Sequence, residues 1–536
     1  SIQPDISSND NPFLSTSMYL TLRENSLPVG VSLTFTLTGQ IQLNSVITQT
    51  SASIVVIINA PPKPGLFQVT PLRGGYALSD PFTFLATQWV DPELPLSYQF
   101  SYTSNTMVDV VLISKGSTSY AVTKLTSGSK ENNYLLYCVA QIYDSLNANT
   151  SSSVAVEVQP PKIMNSTEIA SFVSSSFSQT FNADSMKQSI AFSTSLLNTV
   201  PCPPVSNCSA LHRNSCLRTP HTCGACESDL YVGQDGDSNE PCMLKANYSR
   251  PESYLAMKSC PNGCSGHGTC IYIQVDTGAL MLDDSLCVEG NSGCDAVCEC
   301  ANDFYGSDAC DVSTEDFKQK QASRDHVISG LQSLMALENA DADVITGWTN
   351  SLSEATQCAA EISDASVDNV LSAVQAIIST ASKTSYSPTI LSALLTSTNA
   401  AVQSMTRNVL SNKRNQRRLL PTQDNSLLLS SNRTQATMKS IESLASLLSN
   451  SMTPGQKASE FIQSQFRLSS QVIPSGSSSH NVSIAVPRTA LEEVTNSPSS
   501  SVTIPNKLPS SSSTTESAGL SVSITSLHAS LFNHLH

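Results

Sequence analysis

Fourteen of the sixteen cysteines in this chain of 536 residues lie between Cys202 and Cys310. A segment so dense in cysteine and so poor in large apolar residues has two ways to hold a fold: a disulfide framework or structural zinc. Cys223-Gly-Ala-Cys226 has a zinc-like spacing. Six Asn-x-Ser/Thr sequons, at Asn149, Asn165, Asn207, Asn247, Asn432 and Asn481, favour the other reading, because such sequons accept glycans in a secretory compartment. Asn207 and Asn247 fall inside or beside the cysteine cluster. The expectation is therefore an extracellular or cell-surface chain with bridged cysteines. Within 202–258, Cys202, Cys208, Cys216, Cys223, Cys226 and Cys242 form a knot whose pairing the sequence leaves open.

The remaining totals narrow the class further. The length accommodates three to five domains of ~100–200 residues each. The longest apolar runs, such as Ile54–Ile58, are the size of strands, no membrane span is visible, and no charged-then-apolar leader stands at the start. Net charge is −15 although only 13% of residues are charged, which argues against nucleic acid or an anionic membrane as partner.

A repeat marks the N-terminal part. Ser53-Ile-Val-Val-Ile-Ile-Asn-Ala-Pro61-Pro62-Lys63 is echoed by Ser153-Val-Ala-Val-Glu-Val-Gln-Pro160-Pro161-Lys162. The offset, about 100 residues, is the size of one β-sandwich. Each copy reads as a last strand stopped by a Pro-Pro pair. Residues 1–60 are then the end of one immunoglobulin- or fibronectin-like sandwich, and 61–160 a complete one. In the second module Phe82–Val90 reads as a strand ending near Trp89, which packs between the sheets. Ser97–Tyr102 alternates polar and aromatic, so one aromatic face is buried.

The run Asn59-Ala-Pro-Pro, then Pro71–Leu78, then Trp89-Val-Asp-Pro-Glu-Leu-Pro-Leu-Ser-Tyr98 resembles the receptor-for-egg-jelly (REJ) module of polycystin-like membrane proteins. That resemblance implies tandem sandwiches in the outer part of a membrane receptor. It also implies an extracellular protein or glycan ligand, an association with a channel subunit, and anchoring through a segment outside this chain. The runner-up is a secreted structural glycoprotein of a cell coat or appendage.

Residues 161–201 show no clear period and are expected to be a linker or a short structured bridge. After them and the knot, residues 259–311 resemble an epidermal-growth-factor-like (EGF-like) module. The likeness rests on Cys260-Pro-Asn-Gly-Cys264-Ser-Gly-His-Gly-Thr-Cys270 and on Cys298-Glu-Cys300 through Tyr305-Gly306 to Cys310. The family pairing implies Cys260–Cys270, Cys264–Cys298 and Cys300–Cys310. Cys287 and Cys294, inside a long insertion, are paired with each other. Met257-Lys258-Ser259 stands where such modules carry a calcium-binding acidic pair, so calcium is not expected there. Cys138 and Cys358 are read as buried free thiols.

From Glu315 the pattern becomes helical. Ile345, Trp348, Leu352, Ala355, Ala359 and Ile362 share one helix face, and similar stripes run through Val367–Ala381 and Leu391–Val409. Four helices over 312–412 suggest a small bundle. Residues 413–536 read as a basic loop, one more helix, and short strands among Ser-rich loops. Order and Phe466-Arg-Leu with Ile484-Ala-Val-Pro487 resemble part of an autoproteolysis-inducing stalk domain. The cysteine-tryptophan cleavage motif that ends that domain is absent from the sequence, so the resemblance implies no self-cleavage claim for this piece.

No metalloprotease, nucleophile-elbow, phosphate-loop or dinucleotide motif is present, so no enzyme and no cofactor is expected. Asp235-Gly-Asp237-Ser-Asn239-Glu places oxygen atoms at positions 1, 3 and 5 of a calcium loop. Position 6 is Glu240 and position 12 is Ala246, so the segment reads as a solvated acidic turn, with calcium the alternative. Arg414, Arg417 and Arg418 fit a processing-protease substrate in an exposed loop, against the reading of an ordinary charge cluster.

Overall fold

The computed structural model describes residues 20, 22, 26–43, 46–105, 107–161, 165–178, 182–203, 205–247, 257–274, 279–289, 291, 293–383, 386, 389–416, 426–473, 482–494, 500–504 and 520–527. β1 (Ser32–Leu43) and β2 (Val46–Ile57) pair along their whole length as a hairpin. Leu33 opposite Val56 and Phe35 opposite Ile54 repeat the later pairs Leu136 opposite Val156 and Cys138 opposite Val154. The hairpin is thus laid out like the last two strands of the module that follows. Among the described residues its apolar face is open, with Leu37 58% and Ile54 64% exposed.

The second module is built from β3 (Leu66–Thr70), β4 (Gly75–Tyr76), β5 (Phe82–Thr87), β6 (Ser97–Thr103), β7 (Asp109–Gly116), β8 (Tyr120–Thr123), β9 (Leu135–Tyr143) and β10 (Asn149–Gln159). One sheet has the order β3-β5-β8, the other β4-β10-β9-β6-β7. Alternation in β5 and β9 turns Phe82, Phe84, Leu136, Cys138 and Ile142 inward. Phe67, Phe84 and Phe100 form an aromatic centre with ring centroids 5.6–6.2 Å apart. Trp89 lies in this core, and its indole N–H has no hydrogen-bond partner among the described residues.

The stretch expected to be a linker holds two helices, α1 (Ser166–Ser178) and α2 (Ala183–Leu197). Both begin with reciprocal caps: Asn165 with Glu168, and Asn182 with Ser185. Their apolar residues Val173, Met186, Ile190 and Leu197 enter the same core as α4 (Thr314–Leu337), α5 (Ala342–Ala355), α6 (Asp364–Ala381), α7 (Thr389–Gln416) and α8 (Ser426–Asn450). In α4, Gly330 lets Phe177 of α1 close in; a Cβ there would stand 2.3 Å from the ring. The helical body is therefore discontinuous. It is assembled from α1–α2 and α4–α8, with the cysteine-rich segment inserted between them.

That insert contains α3 (Val205–Ala210), the small pair β11 (Tyr231–Val232) and β12 (Met243–Leu244), and the hairpin β13 (Gly268–Gln274) and β14 (Cys294–Cys300). After α8, β15 (Ser459–Ile462), β16 (Phe466–Ile473) and β19 (Leu520–Leu527) form one sheet, and β17 (Val482–Ala485) pairs with β18 (Ser501–Ile504) around α9 (Ala490–Val494). Phe466, Leu468 and Val472 of β16 complete the helical core. No described helix is long and apolar enough to cross a membrane.

Helix α7 continues through Gln416, so Lys413 and Arg414 belong to a helix and not to the expected loop. Lys, Arg and Gln are good helix formers, so the helix runs on past the apolar stripe that precedes them. Arg417 and Arg418 lie outside the described residues, as does Asn481.

Candidate functional site

The insert is held by seven disulfides. In the knot Cys202 bonds Cys216, Cys208 bonds Cys223, and Cys226 bonds Cys242. Beyond it the pairs are Cys260–Cys270, Cys264–Cys298, Cys287–Cys294 and Cys300–Cys310. The sulfurs of Cys260, Cys264 and Cys298 converge within 4.8 Å, but each is already oxidised and offers no thiolate to a metal. The imidazole of His267 stacks on Phe304 at 3.7 Å, and Gly306, at φ +124°, sits against Phe317 where α4 begins.

Cysteines outside the insert behave differently. Cys138 and Cys358 are buried free thiols, one in the sandwich and one beside α5. Burial pushes Cys138 up to about 12 and Cys358 up to about 11, so neither is a ready nucleophile.

The candidate calcium loop is organised around a cation of the protein's own. Arg213 is 2% exposed, and its guanidinium donates to the carbonyls of Gly224, Gln234, Gly236 and Glu240. The Asp237 carboxylate accepts from Thr219 Oγ1 at 2.8 Å. The Asn239 carboxamide spans Cys223 N–H and the His221 carbonyl. Asp235 has its carboxyl raised by burial, an effect that nearby Arg467 opposes. The loop's inward carbonyls are thus spent on a guanidinium, whose five fixed N–H groups suit several acceptors at once.

A second internal cation stands just before the EGF-like pattern. Lys258 Nζ lies 2.9 Å from Glu240 with both side chains nearly buried, and the Lys258 N–H donates to the Cys287 carbonyl. This is the position at which calcium-binding modules carry acid. Lys258 joins the knot to the following module.

Of the sequon asparagines, Asn149, Asn165 and Asn207 are exposed on described surface. The side chains of Asn247 and Asn432 lie outside the described residues, as does Asn481. The loop after β13 carries Leu280 at 53%, Leu282 at 108% and Leu286 at 60% exposure, beside Asp283 and Asp284. Sequence reasoning missed this apolar tip. Its signal was a run of leucines inside a disulfide module whose small core, around Cys260, Cys264, Ala296 and Cys310, is made mostly of cysteine.

The arrangement so described is a two-sheet module, helices that cover it, and a disulfide insert set between those helices in the chain. Residues 4–194 match the family model of the REJ domain. No curated protein matches the chain significantly. The REJ match is wider than the expected module of 61–160. It takes in the hairpin, the whole sandwich and α1, and it ends within α2. The REJ family is extracellular, and seven disulfides fit an extracellular region, consistent with the outer part of a polycystin-like protein.

Proposed function

We propose that this chain is the ligand-binding and stalk region of a polycystin-like membrane receptor, acting by recognition and not by catalysis. The observation that carries the reading is the REJ match over residues 4–194 joined directly to a disulfide-stapled insert. The strand orders β3-β5-β8 and β10-β9-β6-β7 support taking the sandwich as fibronectin-type-III-like. Bridges joining first to third, second to fourth and fifth to sixth cysteines, with Cys287–Cys294 set aside, support an EGF-like module. Helices followed by strands on α8 support the stalk reading of the C-terminal part.

In this reading the ligand is an extracellular protein or glycan, and the exposed Leu280, Leu282 and Leu286 are the contact residues. An apolar tip with an acidic rim suits a groove whose margin is basic. Membrane anchoring and a channel subunit are assigned to the whole receptor. The test is saturable binding of the secreted chain to an array of extracellular domains and glycans, with Leu282→Asn as control. Binding lost in the folded variant supports the reading. Lateral self-association in sedimentation, with no array ligand, replaces it with the structural coat glycoprotein.

A further inference from the structure

The outer face of the sheet containing β6, β7 and β9 is not free. Gln99, Ser101, Val139 and Tyr143 on that face are all buried. Helices α2 and α5 lie over it. Ser114 of β7 binds Asp184 of α2 through both its N–H and its hydroxyl, at 3.0 and 2.5 Å. Asn350 of α5 donates to the Asp109 carbonyl at 2.9 Å, and Ser104 donates to Glu354 at 2.8 Å.

At the centre is a buried ion pair. Lys187 of α2 lies 2.5 Å from Glu338, which caps the C-terminus of α4, with the side chains 5% and 6% exposed. The same ammonium donates to Ser114 Oγ at 2.7 Å, and the same carboxylate accepts from Trp348 Nε1 of α5 at 2.8 Å. Four elements from two cores therefore meet at one pair of charges. A second polar chain runs from Ser104 through Glu354 and Asn198 to Arg324 and Glu361.

We infer that the REJ sandwich and the helical body are one cooperative unit locked at Lys187–Glu338, and that the disulfide insert is a side branch whose opening leaves that unit intact. Separating the two cores would leave both charges buried without partners or force them to rehydrate, and either is costly. The insert instead meets the body through contacts that include Gln357 to the Leu217 carbonyl, Cys358 to the Arg218 carbonyl, the Tyr305 N–H to Thr314 Oγ1, and Gly306 against the Phe317 ring. The unit also removes this sheet face from ligand binding and directs recognition to the insert and the hairpin.

The experiment is hydrogen exchange by mass spectrometry on the full oxidised chain. Lys187→Met is expected to speed exchange in β7, α2 and α5 together by about 100-fold or more, the ~3 kcal/mol cost of an orphaned buried charge. Lys187→Met with Glu338→Gln keeps an acceptor for Trp348 and is expected to recover most of that loss. Cys264→Ser with Cys298→Ser is expected to loosen residues 260–310 and leave β7 and α5 unchanged. Faster exchange in α2 with β7 protected as before would overturn the inference, as would an insert variant that opens β7 or α5. If Lys187→Met does not fold, a folded double variant sustains the inference, and a double variant equally unfolded overturns it.

Discussion

Arg324 offers the sharpest quantitative test of how the helical body is held. It is fully buried in α4, and its Nε and one terminal nitrogen both donate to Glu361 Oε2, at 3.2 and 2.6 Å. The other terminal nitrogen donates to the Ala355 carbonyl at 2.9 Å and to Asn198 Oδ1 at 3.1 Å. Burial pulls the guanidinium down, but Glu361, with Cys358 and Glu354 behind it, outweighs that together, so the net direction is upward and the group stays charged. In Arg324→Met, Glu361 keeps, among the described residues, only the Lys320 ammonium at 3.5 Å. Breaking one side of such a pair costs about 3–5 kcal/mol. For a body of this size each kcal/mol moves the midpoint by about 2–4 °C, so melting should fall by roughly 6–20 °C. Adding Glu361→Leu removes the stranded carboxylate and should return about 2–3 kcal/mol of that loss. Calorimetry on the oxidised single and double variants measures both numbers. A double variant no more stable than the single would refute the reasoning, because the loss would then come from the vacated volume and not from an unpaired charge.

Arg213→Lys keeps the charge but removes the fork, leaving some of the four carbonyls unpaired; the knot should lose about 2–4 kcal/mol of local stability, read as faster reduction of Cys208–Cys223. Burial raises the Asp295 carboxyl, so this group favours the fold below its unfolded pKa and costs stability as pH rises through its folded value. Asp295→Asn, which still accepts from the Ala296 N–H, should therefore raise the midpoint at pH 7.5 and flatten its rise on acidification; a pH series of thermal melts decides. Gly306→Ala meets both a positive φ and the Phe317 ring 2.4 Å away, and should loosen the joint between the insert and α4, seen as new cleavage near 306 in limited proteolysis. Chelation with EDTA should leave the melting of the insert unchanged, since Arg213 and Lys258 already neutralise its acidic turns; a clear drop would show a bound cation.

Composition and local pattern carried much of the protein. The crowding of cysteine between Cys202 and Cys310 is a statement about chemistry that needs no partner elsewhere in the chain, so it reads directly. The helical stripes read over Ile345–Ile362 and Val367–Ala381 and the aromatic alternation of Ser97–Tyr102 are local periods of the same kind, although the first helix ends at Ala355 and Ala359 and Ile362 lie in and after a separate short turn. Long-range pairing was not legible. Residues 161–201 look aperiodic because α1 and α2 face two cores at once, with Val173 on the helical side, Phe192 on the sandwich side and Lys187 between. Their capping pairs Asn165–Glu168 and Asn182–Ser185 were the available local signal. Alternation in β6 marks only the buried aromatic face, yet Gln99 and Ser101 on the other face are buried too, because α2 (Ala183–Leu197) and α5 (Ala342–Ala355) cover them from far along the chain. Nothing local in the sequence marks Arg213 or Lys258 as structural; the fold brings the carbonyls of Gln234 and Gly236, and the carboxylate of Glu240, around them. Sequence by itself thus determined the disulfide-rich segment and the local strand and helix periods on either side of it. Tertiary structure alone decided that the helical body is split by an insert and that the sandwich is locked to it, because a charge becomes structural only when distant segments exclude water from it.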